Sequence, residues 1–216
     1  MRTATALNST WITLLSALSL CLGTCEALAL PSEVILMRHG HKDSQRGDFN
    51  LSPLGMARMQ ALARALPACF GAPALIVVYP FDRASGKNAR SYQSAVPLAA
   101  ATGVRISIAE TAPDQSAAVG QALLTDPAAA TARVVMIWEH RRLPELAKGL
   151  GWAAMPPIDD QDFDRLEHLR YGNGQAIPTV DRYSQVALLA SGCAQAAEGK
   201  QNSRGNSLES TRRTMP

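Results

Sequence analysis

Two patterns of apolar residues alternate along this chain. Three short continuous runs, Val34 to Met37, Leu75 to Tyr79 and Val134 to Trp138, have the length and β-branched content of strands covered on both faces. Between them the apolar residues recur near the helical period. Ser52-Pro53 supplies an N-cap and a first helical position, and the spacing of Leu54, Met56, Ala61, Leu62 and Ala65 predicts a helix to about Ala65. A polar loop from Pro80 to Asn88 leads to a second helix, from about Ala89 to Ala101, which Pro97 should kink or divide.

The same reading continues towards the C-terminus. Val104 to Ile108 alternates as a strand does, Ser116 to Leu124 suits a helix, and Leu143 to Leu150 suits another that Gly151 stops. Gly151 to Gly174 reads as loop and carries an acidic run, Asp159, Asp160, Asp162 and Asp164, expected on a solvated face or at a helix start. Val186 to Ala190 is a last strand or helix, and its alanines leave the choice open. Residues 197–216 hold almost no large apolar groups and are expected to be disordered. Strands and helices alternating in one unit predict a single α/β sandwich whose mixed, mostly parallel sheet is flanked by helices.

The first 29 residues fit a secretory signal: Arg2, a short apolar core from Trp11 to Leu22, and the small-x-small series Ala27-Leu28-Ala29. A retained anchor and a lipid-modified Cys25 are the alternatives. Export would remove Cys21 and Cys25 and leave Cys69 and Cys193, either bridged or as two separate buried thiols. The chain carries a net charge of +3, of which the tail holds most, so the body is near neutral. A nucleic-acid partner would need a dense basic stripe, which is missing. No cysteine or histidine spacing suits a metal site, and no cofactor is implied.

Positive charge matters locally instead. The first strand runs into Arg38-His39-Gly40, with Lys42 beyond; the second leads to Arg83, Lys87 and Arg90; the third ends at Glu139-His140. Parallel strands would bring these three loops to one sheet edge. Two histidines and several cations would then converge, a cluster that repels itself when empty and that a phosphoryl group relieves. Neutral imidazole is a good nucleophile, and Arg38 with the Gly40 backbone N–H could hold an oxyanion beside it. Lys42 serves equally well as a solvated loop residue.

Taken together these segments resemble the histidine phosphatase superfamily, the phosphoglycerate-mutase-like family. The resemblance rests on Arg38-His39-Gly40 after an apolar strand, on Leu51-Ser52-Pro53-Leu54-Gly55 with Gln60-Ala61, on Arg90-Ser-Tyr-Gln93-Ser94-Ala95, and on Trp138-Glu139-His140, in that order over about residues 33 to 151. It implies a phosphoglycerate-mutase-like three-layer domain over residues 30–196. It also implies a hydrolase in which His39 attacks phosphorus and becomes phosphohistidine, while Arg38, Arg90 and His140, with Lys42, hold the phosphoryl oxygens. The leaving-group acid departs from the family pattern: Glu110, Asp114 and Glu139 are the candidates, with Glu110 favoured because it follows a strand end. Arg141 stands where one branch places an aspartate. The expected product of this reading is an exported, periplasmic or secreted phosphatase. It acts on a phosphorylated small molecule, without nucleic acid and without stable membrane insertion after signal removal, and its oligomeric state stays open. A weakly catalytic phosphate-binding or regulatory protein and a phosphohistidine protein phosphatase are the rivals.

Overall fold

Residues 30–43, 49–172 and 174–193, with the backbone of 197–198, are described by the computed structural model. The signal-like segment 1–29 and nearly all of the tail 197–216 lie outside the described residues. The three apolar runs form β1 (Glu33–Arg38), β2 (Leu75–Val78) and β4 (Arg133–Trp138), with β3 (Ile106–Ile108) beside β2. The sheet order is β3-β2-β4-β1-β5-β6-β7, where β5 is Arg165–Arg170, β6 is Thr179–Ser184 and β7 is Ala197–Glu198. β2, β4 and β1 are parallel neighbours, β5 runs antiparallel to β1, and β6 runs antiparallel to β5. The expected mixed sheet, with most strands in one direction, is present.

Alternate residues of the central strands enter different layers, because successive side chains of a strand point to opposite faces. Val34, Leu36, Val134, Met136 and Trp138 pack with Leu123, Leu143 and Leu146, from α3 (Ser116–Leu123) and α4 (Leu143–Gly149). Ile35, Met37, Val135 and Ile137 pack with Leu62, Leu98 and Leu188, from α1 (Pro53–Phe70), α2 (Arg90–Thr102) and α5 (Gln185–Ser191). Helices thus cover both faces, and the strands are apolar throughout for that reason. Among the described residues no helix is long and apolar enough to cross a membrane.

Several expectations need correction. The helix expected to stop at Ala65 runs on to Phe70 and takes in Pro67, and α2 is one helix through Pro97 rather than two. Val186 to Ala190 is helical. The strands β5 and β6 were hidden, the first inside a segment read as loop. Their charged residues suggested solvent, but Glu167 and His168 are buried: Glu167 pairs with Arg165 and Arg182, and His168 with Glu33. Buried charges are tolerated when paired, and a pattern of apolar and polar letters does not register the pairing. Cys69 and Cys193 form a disulfide joining the last turns of α1 to the residues after α5.

Candidate active site

The carboxyl ends of β1, β2 and β4 lie side by side, and the three loops leaving them enclose a nook of about 140 Å³. Its walls include Arg38, His39 and Lys42 from the first loop, Asn88 and Arg90 from the second, and Glu139, His140 and Arg141 from the third. It opens towards a larger cavity of about 670 Å³, walled by Phe81, Lys87, Pro113 and Arg142 among others. Tyr79, Asn88, Glu139 and Arg141 belong to both.

Local sequence builds the first loop tightly. Ser52 caps α1 by accepting from the Gly55 N–H at 3.1 Å. Its own N–H and hydroxyl both donate to the His41 carbonyl, at 2.9 and 3.1 Å. The helix start therefore grips the loop. Gly55 must lack a side chain: a Cβ there would stand 2.3 Å from the His41 carbonyl oxygen. From the other side, Ser94 of α2 accepts the Gly40 N–H at 2.9 Å. That bond corrects the expectation that the Gly40 N–H serves an oxyanion, since it is already used to fix the loop.

His39 is 6% exposed, and its Nδ1 lies 2.8 Å from the Gly40 carbonyl. A carbonyl only accepts, so Nδ1 carries the proton and Nε2 keeps its lone pair. Burial, reinforced by the Arg38 and Arg90 charges, lowers the ring to about 4, so at neutral pH it is an uncharged imidazole. Arg38 is 2% exposed and burial lowers it to about 10, still a cation near neutrality. Arg90 donates through Nε to the Asn50 carbonyl at 3.0 Å. Gln93, one turn on, ties the same strap by accepting from the Leu51 N–H at 2.8 Å.

The carboxylates are distributed otherwise than expected. Glu110 and Asp114 are exposed and belong to neither cavity wall, so the favoured acid is displaced. Glu139 faces both cavities. Strand alternation suggested that it turns away, but β4 ends at Trp138, and Glu139 is the N-cap of a 3₁₀ turn, accepting from the Arg141 N–H at 2.9 Å. Its burial raises the carboxyl, yet hydrogen bonding and charge from His140, with Arg141, outweigh that and lower it, so it is an anion. One Glu139 oxygen lies 2.8 Å from His140 Nδ1. The opposite ring nitrogen, Nε2, is 2.5 Å from Asp160 Oδ1.

The acidic run is the part that sequence reasoning missed. It is no helix start, and although Asp159 and Asp160 are exposed, the backbone of the run turns inward. Arg38 Nη1 donates to the carbonyls of Asp159, Asp160 and Asp162 at 3.2, 2.9 and 3.0 Å. The Phe163 ring lies under the guanidinium at 3.8 Å and stacks on His41 at 4.5 Å. No motif announces backbone carbonyls; the one available signal was a dense acidic run in a chain whose site is rich in cations. Among the described residues no group of three His, Cys, Asp or Glu is disposed to hold a metal ion.

The fold and nook define an α/β protein with a buried histidine among several cationic side chains at the carboxyl ends of parallel strands. No protein-family model matches the chain, and no curated protein matches it significantly. Solved structures similar to it include three proteins. The protein histidine phosphatase SixA complexed with tungstate is 17% identical, over 72% of this chain and 99% of that one, with a TM-score of 0.49. The mycobacterial glucosyl-3-phosphoglycerate phosphatase Rv2419c with inorganic phosphate is 20% identical, over 70% and 95%, with a TM-score of 0.47. Phosphoglycerate mutase from Bacillus anthracis str. Sterne is 10% identical, over 77% and 98%, with a TM-score of 0.48.

Proposed function

We propose that this chain is a phosphatase of the histidine phosphatase superfamily, acting through a phosphohistidine on His39. The observation that carries the reading is the neutral Nε2 of His39, presented in a nook lined by Arg38, Lys42, Arg90, His140 and Arg141. In the first step Nε2 forms a bond to phosphorus as the bond to the leaving group breaks. Arg38, Arg90 and His140 hold the equatorial oxygens, where the transition-state charge lies. In the second step water attacks phosphorus, the nitrogen–phosphorus bond breaks, and inorganic phosphate leaves. The anionic Glu139, on the wall shared with the larger cavity, accepts the proton of that water.

An anionic Glu139 has no proton to give in the first step, and Glu110 stands outside the site. The reading therefore favours leaving groups that depart without a proton from the protein, such as aryl phosphates and phosphoamidates. The cavity of about 670 Å³ beside the nook suits an organic leaving group of small-molecule size. The same lack of an acid supports a second reading, a phosphate-binding protein with weak turnover. Export is part of the proposal: the Cys69–Cys193 disulfide suits an oxidising compartment, which a signal within residues 1–29 would provide. Intact mass of secreted material starting near Leu30 is the expected result.

Paired kinetics on p-nitrophenyl phosphate and an alkyl phosphate test the activity. The aryl ester should be turned over, far faster than the alkyl ester, with acid-labile phosphate trapped on His39. Phosphate binding with no turnover of either ester would select the second reading.

A further inference from the structure

Arg38 and His140 share an arrangement that their strands do not explain. Each is almost completely buried, at 2% and 3% exposure, and each lines the nook. Each has one nitrogen anchored in the loop 159–162, Arg38 through Nη1 and His140 through Nε2. Nε and Nη2 of Arg38 are buried without a hydrogen-bond partner, whereas Nδ1 of His140 faces the Glu139 carboxylate at 2.8 Å. A buried donor left unmatched costs about 1–3 kcal/mol, and a phosphoryl oxygen in the nook would supply the acceptor that the Arg38 fork lacks.

The loop that does the anchoring is itself pinned. Asp159 accepts the Gln161 N–H at 2.8 Å, and the Asp159 carbonyl accepts the Asp162 N–H at 3.0 Å. Asp162 accepts from the Asp164 and Arg165 N–H groups at 2.9 and 3.2 Å. Arg58 of α1 donates to the Phe163 carbonyl at 3.2 Å, and Asp164 accepts the Val186 N–H of α5 at 2.7 Å. Asp160 alone directs its carboxylate at the nook wall: Oδ1 to His140, with Oδ2 3.7 Å from Arg141 Nη2.

We propose that Asp160 is a positioning residue, which engages His140 Nε2 so that the ring is held across the nook wall with Nδ1 turned to Glu139, while the carbonyls of its own loop set the Arg38 fork in the same nook. This rests on the phosphatase reading. Asp160 does not touch the substrate; it acts through His140. The requirement is for an acceptor at that point, because a ring free to turn about its side-chain bonds would present either nitrogen or neither. The carbonyl contacts to Arg38 come from backbone and survive a side-chain change at Asp160, so the two halves of the device separate experimentally.

The test is a double-mutant cycle on the full chain with p-nitrophenyl phosphate, together with orthophosphate binding by calorimetry. Asp160→Ala should lower kcat about 10–10²-fold, the range for a misplaced reacting group, with a smaller change in KM. Asp160→Asn keeps an acceptor oxygen and should recover most of that loss. In a His140→Ala background, Asp160→Ala should cost nothing further. An active wild type in which Asp160→Ala costs the same in both backgrounds, or in which Asp160→Asn is as poor as Asp160→Ala, overturns the positioning role alone. A wild type with neither turnover nor phosphate binding removes the phosphatase reading and this inference together.

Discussion

The loop that follows β1 and the loop that precedes β5 meet over one guanidinium, and they are built on opposite principles. Arg38 to Lys42 presents side chains, a buried histidine and two cations, on a backbone braced by Ser52, Gly55 and Ser94. Asp159 to Phe163 presents mainly backbone: three carbonyls and an aromatic ring under Arg38, with a single carboxylate on His140. On the proposed reading the first loop would supply the chemistry and the second its geometry. Neither works alone, since an Arg without a fixed fork binds a phosphoryl group without aligning it. A site can thus be half composed of residues whose letters carry no chemical message.

If this division holds, the largest loss follows from the first loop. His39→Ala should abolish turnover of p-nitrophenyl phosphate while leaving the circular dichroism and melting profile of the fold in place. Retention of a tenth of wild-type activity would mean that another group attacks phosphorus. Arg90→Lys comes next. It keeps the charge but loses the planar fork, and the expected cost of about 2–4 kcal/mol in kcat/KM matches removal of one oxyanion donor. A more severe effect from Arg83→Lys, a residue in neither cavity wall, would relocate the second clamp.

Phe163→Leu probes the second loop and should do less. It removes the ring under Arg38 but keeps an apolar side chain. A cation–π contact is worth about 0.5–2 kcal/mol, so kcat/KM should fall about 2–30-fold. A change smaller than the error of the assay would show that the three carbonyls hold Arg38 without help. The smallest perturbation is titration. In ¹H–¹⁵N NMR spectra His39 should be neutral with the proton on Nδ1 and should take a second proton only near pH 4. An unfolded chain protonates the same ring near 6.5. The folded-state value is the lower one, so His39 costs no stability above 6.5 and progressively more as pH falls from there towards 4. A normal titration near 6.5 would contradict the burial of the nucleophile.

How much was legible in the sequence follows from the kind of force at each place. β1, β2 and β4 are apolar on both faces, so their letters alone mark them as buried, and their parallel order brings Arg38, His39, Arg90 and His140 together. β5 was not legible, because Glu167 and His168 are buried by pairing, Glu167 with Arg165 and with Arg182 of β6, and His168 with Glu33 of β1. Glu110 was misplaced for a related reason: proximity to a strand end does not say which way a loop turns.

Composition and periodicity determined the layers, the strand ends and the residues with reactive side chains, because burial of apolar surface is written into every third, fourth or second position. Only the tertiary structure decided that Asp160 rather than Glu110 stands at the site, that the Gly40 N–H is occupied, that Glu139 turns towards the nook, and that Cys69 meets Cys193. All but the Glu139 turn, which a local cap makes, depend on a hydrogen bond or a covalent bond between segments apart in the chain. Such bonds are short-ranged and directional, so they exist only once the packed layers have brought the segments within reach.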